Sequence, residues 1–332
     1  MALQIGIIGT GWFSKVHADI LSNMDGVQVA AFVGTSQEKA ARAVQGYASA
    51  KAYSNTEQML DETKPDAVYI CVPPFAHGEI ESQLVQRGIP FLVEKPLGTN
   101  LATPRQILHG VKKAGLMTSA GYHFRYTDAA TKAAELLEGR KIGMALGYWM
   151  GDMPQVYWWR QQEGSGGQFI EQTTHMVDLL RCLLGEVDEV YAAFAHRAMK
   201  DIHEGVTVHD VGTVTLKLKS GAVATISNTC MLPESDKVGL AIYTEQGVND
   251  IQPDKLIVKE KGRMTEIRNA ANPYLRENEA FIHALRTGDA SGILSTYEDA
   301  VKTMEVTYAA LRSAESGVPV KVGEGSTNRS DS

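Results

Sequence analysis

Residues 4–33 constrain the fold more than any other stretch of this chain. The apolar run Gln4–Ile8 stops at Gly9-Thr10-Gly11, and a segment with Phe13, Val16, Ile20 and Met24 on one helical face comes next. Gly26 closes that helix, and Val27–Val33 is a second apolar run rich in β-branched residues. Strand, glycine turn, helix and strand within about thirty residues is the length of a βαβ unit. The alternation continues through runs at 67–72, 90–93 and 116–120, with helices expected at about 77–87 and 101–114. Repeated βα units predict a parallel, doubly wound sheet with helices on both faces.

The pattern changes after about residue 122. A helix at 128–138 leads to a strand at 144–150, and a polar, aromatic loop then carries Tyr157, Trp158, Trp159 and Arg160. One further helix runs from Gly167 to about Leu184. Beyond it, runs at 211–218 and 222–229 are joined by Lys219-Ser220-Gly221, and further runs fill 238–266. Hairpin punctuation of this kind predicts a mostly antiparallel sheet in an α+β second domain. The expected organisation is a dinucleotide-binding domain over 1–122, a substrate-binding and oligomerisation domain over 123–322, and a disordered tail over 323–332. A last helix at 297–315 is expected to pack back on the first domain.

Composition removes several classes of function. The 332 residues carry 32 Lys and Arg against 39 Asp and Glu, a formal charge of −7. Interspersed charge on a mildly acidic chain does not suit phosphate-backbone binding, so no nucleic-acid partner is expected. No apolar run approaches the ~18 residues that span a bilayer. The opening MALQIGIIGTGWF lacks the basic n-region of a signal peptide. Cys71, Cys182 and Cys230 are odd in number and far apart in apolar stretches, which suits buried free thiols in a reducing, cytoplasmic compartment.

Gly9-Thr10-Gly11-Trp12-Phe13-Ser14 matches G-x-G-x-x-G with serine in the last place. The first glycine permits the tight turn, the second admits a pyrophosphate, and the last position needs only a small residue. The helix start adds partial positive charge for phosphates. The second strand ends Phe32-Val33-Gly34-Thr35-Ser36, without the acid that accepts bonds from the ribose hydroxyls of NAD. With Gly34 in the acid's place, Thr35 and Ser36 as donors and Lys39 as a charge, NADP is expected to be favoured over NAD. Equally, Lys39 could be an ordinary exposed lysine and Ser36 a helix cap.

Two constellations carry acid–base groups. Glu94-Lys95-Pro96 comes after an apolar strand, at the edge where doubly wound sheets place ligands. Lys95 there could hold a substrate hydroxyl and exchange its proton, although a surface salt bridge would explain the tripeptide too. Glu171 and His175 stand four apart and Asp178 three further on, predicting one shared helical face after the glycines 164–167. A carboxylate and an imidazole there form an acid–base pair, with Asp178 behind the imidazole. The alternative is a helix histidine simply paired with acids. Trp158 and Trp159 could stack on a sugar ring or fill an interface. His203-Glu204 and His209-Asp210 lack metal-ligand spacing; a solvated loop entering a strand is expected there, and no metal.

These features in this order resemble the Gfo/Idh/MocA oxidoreductases, named for glucose–fructose oxidoreductase and inositol dehydrogenase, over nearly the whole chain to about residue 322. The resemblance implies a Rossmann domain plus an open-sheet α/β domain, a homodimer or homotetramer formed through that sheet, and a dinucleotide held by Gly9, Thr10, Gly11, Trp12, Phe13, the 34–39 segment, Pro73, His77, Glu94 and Lys95. The family's E-K-P lysine falls on Lys95, and its G-x-x-x-D-x-x-x-H-x-x-D helix falls on Gly167, Glu171, His175 and Asp178. Lys95, Glu171 and His175 are thereby the implied catalytic residues, with His123, Arg125, Trp158, Trp159 and Arg160 beside the substrate. Glu171 replaces the usual aspartate, and Tyr122-His123-Phe124-Arg125 replaces a commoner asparagine-containing segment, so specificity does not transfer. The implied activity is hydride transfer between a nicotinamide and a secondary alcohol or ketone of a sugar, inositol or related polyol. An NAD-dependent glycosidase using transient oxidation and elimination, and a non-catalytic cofactor-sensing regulator, are the alternatives.

Overall fold

The computed structural model of the chain describes residues 2–323, so the predicted tail lies, but for Gly323, outside the described residues. Contacts divide it into two compact units. One comprises residues up to 127 together with Ala270–Val301, and the other Asp128–Asn269 together with the chain from Lys302 onward.

The first unit is built on six parallel strands: β1 (Leu3–Ile8), β2 (Val27–Val33), β3 (Lys51–Tyr53), β4 (Ala67–Ile70), β5 (Phe91–Val93) and β6 (Thr118–Ala120). Their spatial order is β3-β2-β1-β4-β5-β6. Both faces are covered, which is why these strands read as continuous apolar runs rather than alternating ones. Ile5, Ile7, Phe32, Tyr69 and Leu92 lie in the core. The strand order reverses direction between β1 and β4, and a crevice at that switch point, outside the carboxyl ends of the strands, is where such sheets hold ligands.

Helix α1 (Trp12–Ser22) buries Ser14, His17, Ala18 and Leu21. The stripe expected from sequence, Phe13, Val16, Ile20 and Met24, is only half-buried and flanks it. The inward stripe is rotated from the apolar one because it carries His17, whose ring bonds to the buried Glu94 and Asn278. The helix Pro273–Thr287, late in the chain, belongs to this unit and contributes Phe281, Ile282 and Ala284 to its core. Phe281 meets Tyr69 edge-on at 5.7 Å between ring centroids.

The second unit carries a nine-stranded sheet: β7 (Ile142–Met150), β8 (Val187–Ala195), β9 (Val211–Leu218), β10 (Val223–Thr229), β11 (Lys237–Thr244), β12 (Gly247–Ile251), β13 (Lys255–Glu260), β14 (Arg263–Arg268) and β15 (Val320–Lys321), in the order β14-β13-β12-β11-β7-β10-β9-β8-β15. Only the β7–β10 pair is parallel, so the sheet is mixed and mostly antiparallel. Val190, Ala192, Val214, Leu216, Ala224, Ile226 and Leu240 turn inward. Alternate positions on the opposite face, Met144, Leu146, Tyr191 and Val223, stay exposed. The predicted last helix is Tyr297–Ser316, with its first turn in the first unit and the remainder in the second. No helix among the described residues is long and apolar enough to cross a membrane.

Candidate active site

In the first unit the phosphate turn has the shape its residues require. Gly9 has φ +120°, and a Cβ there would lie 2.1 Å from the carbonyl oxygen of Cys71. Only glycine lets β1 turn this close to β4. A Cβ on Gly11, by contrast, would meet nothing within 4 Å. Gly11 opens α1 with no side-chain cap and no acid in the first turn, so its leading amides face open space. That combination fits a dinucleotide pyrophosphate. Thr10 is half-buried, Trp12 is 66% exposed, Phe13 lies 6.1 Å from the Tyr274 ring, and Ser14 is buried where helix meets strand.

After β2, Ser36 caps the helix Gln37–Ala43 by accepting from the Lys39 amide, and the Lys39 ammonium donates to Thr35 Oγ1 at 3.0 Å. Thr35 and Lys39 are exposed. Gly34 is crowded: a Cβ would lie 2.9 Å from the Ala40 amide nitrogen and 3.1 Å from Thr10 Cγ2. An acid at position 34 would therefore displace the backbone of the next helix. Beyond β4, Pro73 precedes a single turn at Pro74–Ala76, and His77 directs Nδ1 to the buried Glu81, whose other oxygen accepts the Gly78 amide. Burial alone would raise the Glu81 carboxyl, yet the charge and hydrogen bond of His77 hold it below its ordinary value.

Lys95 lies just past the end of β5 and is half-buried. Its neighbour Glu94 points inward, 5% exposed, and takes a hydrogen bond from His17 Nε2 at 3.0 Å. Asn278 Nδ2 lies 2.9 Å from His17 Nδ1 and donates to the Tyr274 carbonyl at 2.7 Å, which holds the imidazole in place. Gly121 forms the opposite wall, where a Cβ would sit 2.6 Å from Glu94 Oε2. His123 stacks on Tyr274, centroids 4.3 Å apart, and burial pushes its pKa down to about 4, so it is neutral at pH 7. Arg125 is 7% exposed, donates to the Leu294 carbonyl and lies 3.9 Å from Asp299.

In the second unit, the predicted continuous helix from Gly167 is interrupted. Gln168–Glu171 and Thr174–Leu184 are separate segments. The Thr173 amide reaches back five residues to the Gln168 carbonyl, and the His175 amide only three, to Gln172. A wide turn and then a tight one reorient the second segment, the kind of local π-type irregularity common at functional sites. Glu171 and His175 therefore do not share one continuous helical face. Glu171 Oε2 accepts from Trp159 Nε1 at 2.7 Å, and Trp159 is 1% exposed. His175 is 4% exposed and stacks on Trp149, at 5.8 Å and 19°. Asp178 accepts from Thr303 Oγ1 at 2.9 Å and lies 4.0 Å from Arg181.

Trp158 is half-buried, and Arg160 donates to Gln155 Oε1. The 203–210 segment is exposed at Glu204, Gly205 and Thr207, as expected of a solvated loop, but not at its end. Asp210 is 1% exposed and accepts the amides of Arg197, Ala198 and Met199 at 2.7–2.8 Å, which hold its carboxyl low against the opposing effect of burial. His209 stacks on His196 at 4.4 Å.

These surroundings separate two neighbouring residues by experiment. His175→Ala is expected to lower turnover by about a hundredfold or more, as for a positioned acid–base group, beyond whatever stability its buried stack on Trp149 supplies. Asp178→Ala is expected to cost about 1–3 kcal/mol of stability, because it strips a partner from buried Thr303 and Arg181, with a smaller effect on turnover. Parallel kinetics and thermal melts check this; equal stability losses with unchanged turnover would contradict it.

Residues 3–122 match the oxidoreductase family with an NAD-binding Rossmann fold, and residues 131–248 match the GFO/IDH/MocA C-terminal domain. The chain belongs to the Gfo/Idh/MocA oxidoreductases. It is accordingly an NAD(P)-dependent enzyme of the sugar and inositol dehydrogenase type. Among its relatives, the myo-inositol 2-dehydrogenase of Thermotoga maritima is 25% identical over 97% of this chain and 99% of its own length. The D-xylose 1-dehydrogenase (NADP(+)) 2 of Haloferax volcanii is 24% identical over 96% of this chain and its whole length. Levoglucosan dehydrogenase, solved with NADH and levoglucosan, superposes with a TM-score of 0.86 at 20% identity, covering 98% of this chain and 100% of its own.

His17, Asn278, Tyr274 and Trp149 are prominent in these sites and are not predicted by the sequence motifs. A histidine at the centre of the inward stripe of α1 is the available signal for His17. Trp149 is visible in sequence only as one residue of a strand, with nothing to indicate a stacking partner.

Proposed function

We propose that the enzyme transfers hydride between NADP(H) and a secondary alcohol or ketone of a sugar, cyclitol or related polyol. The observation that carries this reading is that Lys95 emerges from β5 at the same sheet edge where β1 delivers Gly9–Gly11, with Glu94 anchored beneath it. The nicotinamide supplies hydride acceptance or donation when bound. Gly9, Thr10, Gly11, Trp12 and Phe13 form its pyrophosphate turn, and the 34–39 segment its ribose end. Lys95 or His175 takes the hydroxyl proton in oxidation, and Lys95 steadies charge developing on the oxygen, where partial burial strengthens its effect. Glu171, aimed by Trp159, holds substrate hydroxyls. Screening polyols, aldoses and inositols for absorbance change at the nicotinamide, with both cofactors, tests the reading. Inactivity toward all of them despite dinucleotide binding would count against it.

NADP(H) is expected to bind about tenfold more tightly than NAD(H), near 1.4 kcal/mol. No acid stands at position 34 to repel a 2′-phosphate, and Thr35, Ser36 and Lys39 supply donors and one charge. Lys39→Ala should remove most of that preference, and is a cleaner test than Gly34→Asp, whose side chain the Ala40 amide obstructs. Fluorescence titration of both cofactors checks this; tighter NADH binding by the unaltered protein would refute it.

The exposed sheet face of the second unit supports assembly as a homodimer or homotetramer. Met144 and Val223 are register neighbours on β7 and β10, and Leu146 and Tyr191 extend the apolar row. The three cysteines carry no disulfide, which fits a reducing cytoplasm.

A further inference from the structure

Beneath Lys95, the first unit buries an unusual amount of charge. His17 is 0% exposed, Glu277 0% and Glu94 5%, and one donor atom from each falls within 4.8 Å of the other two. Four elements meet here. Helix α1 brings His17; the segment after β4 brings Cys71, with Tyr69 before it; the segment after β6 brings His123 and Tyr126; and the helix Pro273–Thr287 brings Tyr274, Glu277 and Asn278. Lys95 is the remaining charged neighbour of Glu94.

The geometry leaves Glu94 one arrangement. Gly121 closes one side so tightly that no β-carbon fits, and His17 donates from the other. His17 is itself clamped, by Asn278 on Nδ1 and by the Tyr69 ring at 5.2 Å. An uncompensated carboxylate at this depth would be neutralised by protonation.

We propose that His17 is a positioning residue, whose hydrogen bond keeps the Glu94 carboxylate charged and fixed beside Lys95 and so sets the electrostatic surroundings of the lysine. The inference rests on the catalytic reading of Lys95 given above. Burial works against the charged form of Glu94, and the hydrogen bond from His17 is the strongest of the influences that nonetheless hold its carboxyl below the ordinary value, ahead of the Lys95 charge. Removing the bond lets Glu94 take up a proton at higher pH, and Lys95 then loses the adjacent negative charge. The acid limb of the pH–rate profile should move upward with it.

The test uses full-length protein with 13C-labelled glutamate, Glu94 being assigned by its disappearance in Glu94→Gln. In His17→Leu the Glu94 carboxyl should titrate about one pH unit higher, the size expected when one charge-assisted hydrogen bond is lost. The acid limb of kcat/KM should rise by the same amount, and His17→Gln, which keeps an N–H donor, should restore both. Glu94→Gln should stay folded, as a thermal melt reports, while turnover falls about tenfold. An unmoved Glu94 titration in His17→Leu overturns the proposal. So does native turnover in Glu94→Gln, a result that stands even if the leucine variant does not fold. Lys95→Ala run alongside separates the two levels: native turnover there removes the reading of Lys95, while the Glu94 titration still judges the link from His17.

Discussion

Lys95→Ala is expected to lower kcat by about 10² to 10⁴, the range for loss of a positioned acid–base group, while melting temperature and dinucleotide affinity change little. The reason lies in how the segment is held. Glu94 is fixed by His17 and walled by Gly121, and neither contact involves the lysine side chain. The backbone is fixed as well, since the Glu94 amide donates to Ile70 and the Gly121 amide to Val93. Truncation at Cβ therefore leaves these contacts of the strand edge in place and removes the half-buried ammonium. Steady-state kinetics combined with a thermal melt and a cofactor titration give the answer. Near-native turnover would take Lys95 out of the chemistry.

The second large effect concerns the phosphate turn, where two glycines two residues apart should fail in different ways. Gly9→Ala is expected to cost about 2–4 kcal/mol of stability and most of the dinucleotide affinity. Its methyl would press on the backbone of Cys71 at 2.1 Å, and its φ of +120° is closed to a side chain. The neighbours are central strands of the sheet and cannot yield. Gly11→Ala should leave stability within about 0.5 kcal/mol, because its Cβ meets no protein atom within 4 Å. Its cofactor affinity should nevertheless fall tenfold or more, since the open space is the space a pyrophosphate fills. Denaturant unfolding and fluorescence titration of both variants check the pair. Equal behaviour of the two would contradict the assignment of Gly11 to the cofactor.

The architecture is legible in the sequence because the relevant signals are local. Gln4–Ile8, Gly9-Thr10-Gly11 and Val27–Val33 specify strand, turn and strand through residues adjacent in the chain, and the hairpin at 219–221 does the same for the second sheet. The features that sequence hides depend on contacts between distant segments. The helix Pro273–Thr287 joins the core of the first unit across about 150 intervening residues, and no periodicity announces which sheet it will cover. His17 and Asn278 meet for the same reason, 261 positions apart. The break at Gln172–Thr173 has no glycine or proline to announce it, and rests on the backbone bonds from Thr173 to Gln168 and from His175 to Gln172. Asp210 reads as solvated because polarity in sequence does not distinguish an exposed carboxylate from one buried on three amides.

The candidate site divides along the same line. Lys95, His175 and Glu171 can be named from motif and order. Their partners cannot: Trp159 on Glu171, Trp149 on His175 and the His17–Glu94 bond are products of folding. Arg125, expected beside the substrate, donates to the Leu294 carbonyl, which ties part of its guanidinium to the protein.

The proposed reaction is direct hydride transfer from a hydroxyl-bearing carbon to the nicotinamide with Lys95 in attendance. The most direct measurement follows deuterium from a polyol labelled at its carbinol carbon, for a substrate found in the panel, by NMR of both cofactor and product. One deuterium in the reduced nicotinamide is expected for each ketone formed, with transfer slowed about a hundredfold or more in Lys95→Ala. Product formed with the deuterium lost to solvent and none in the reduced nicotinamide would contradict it.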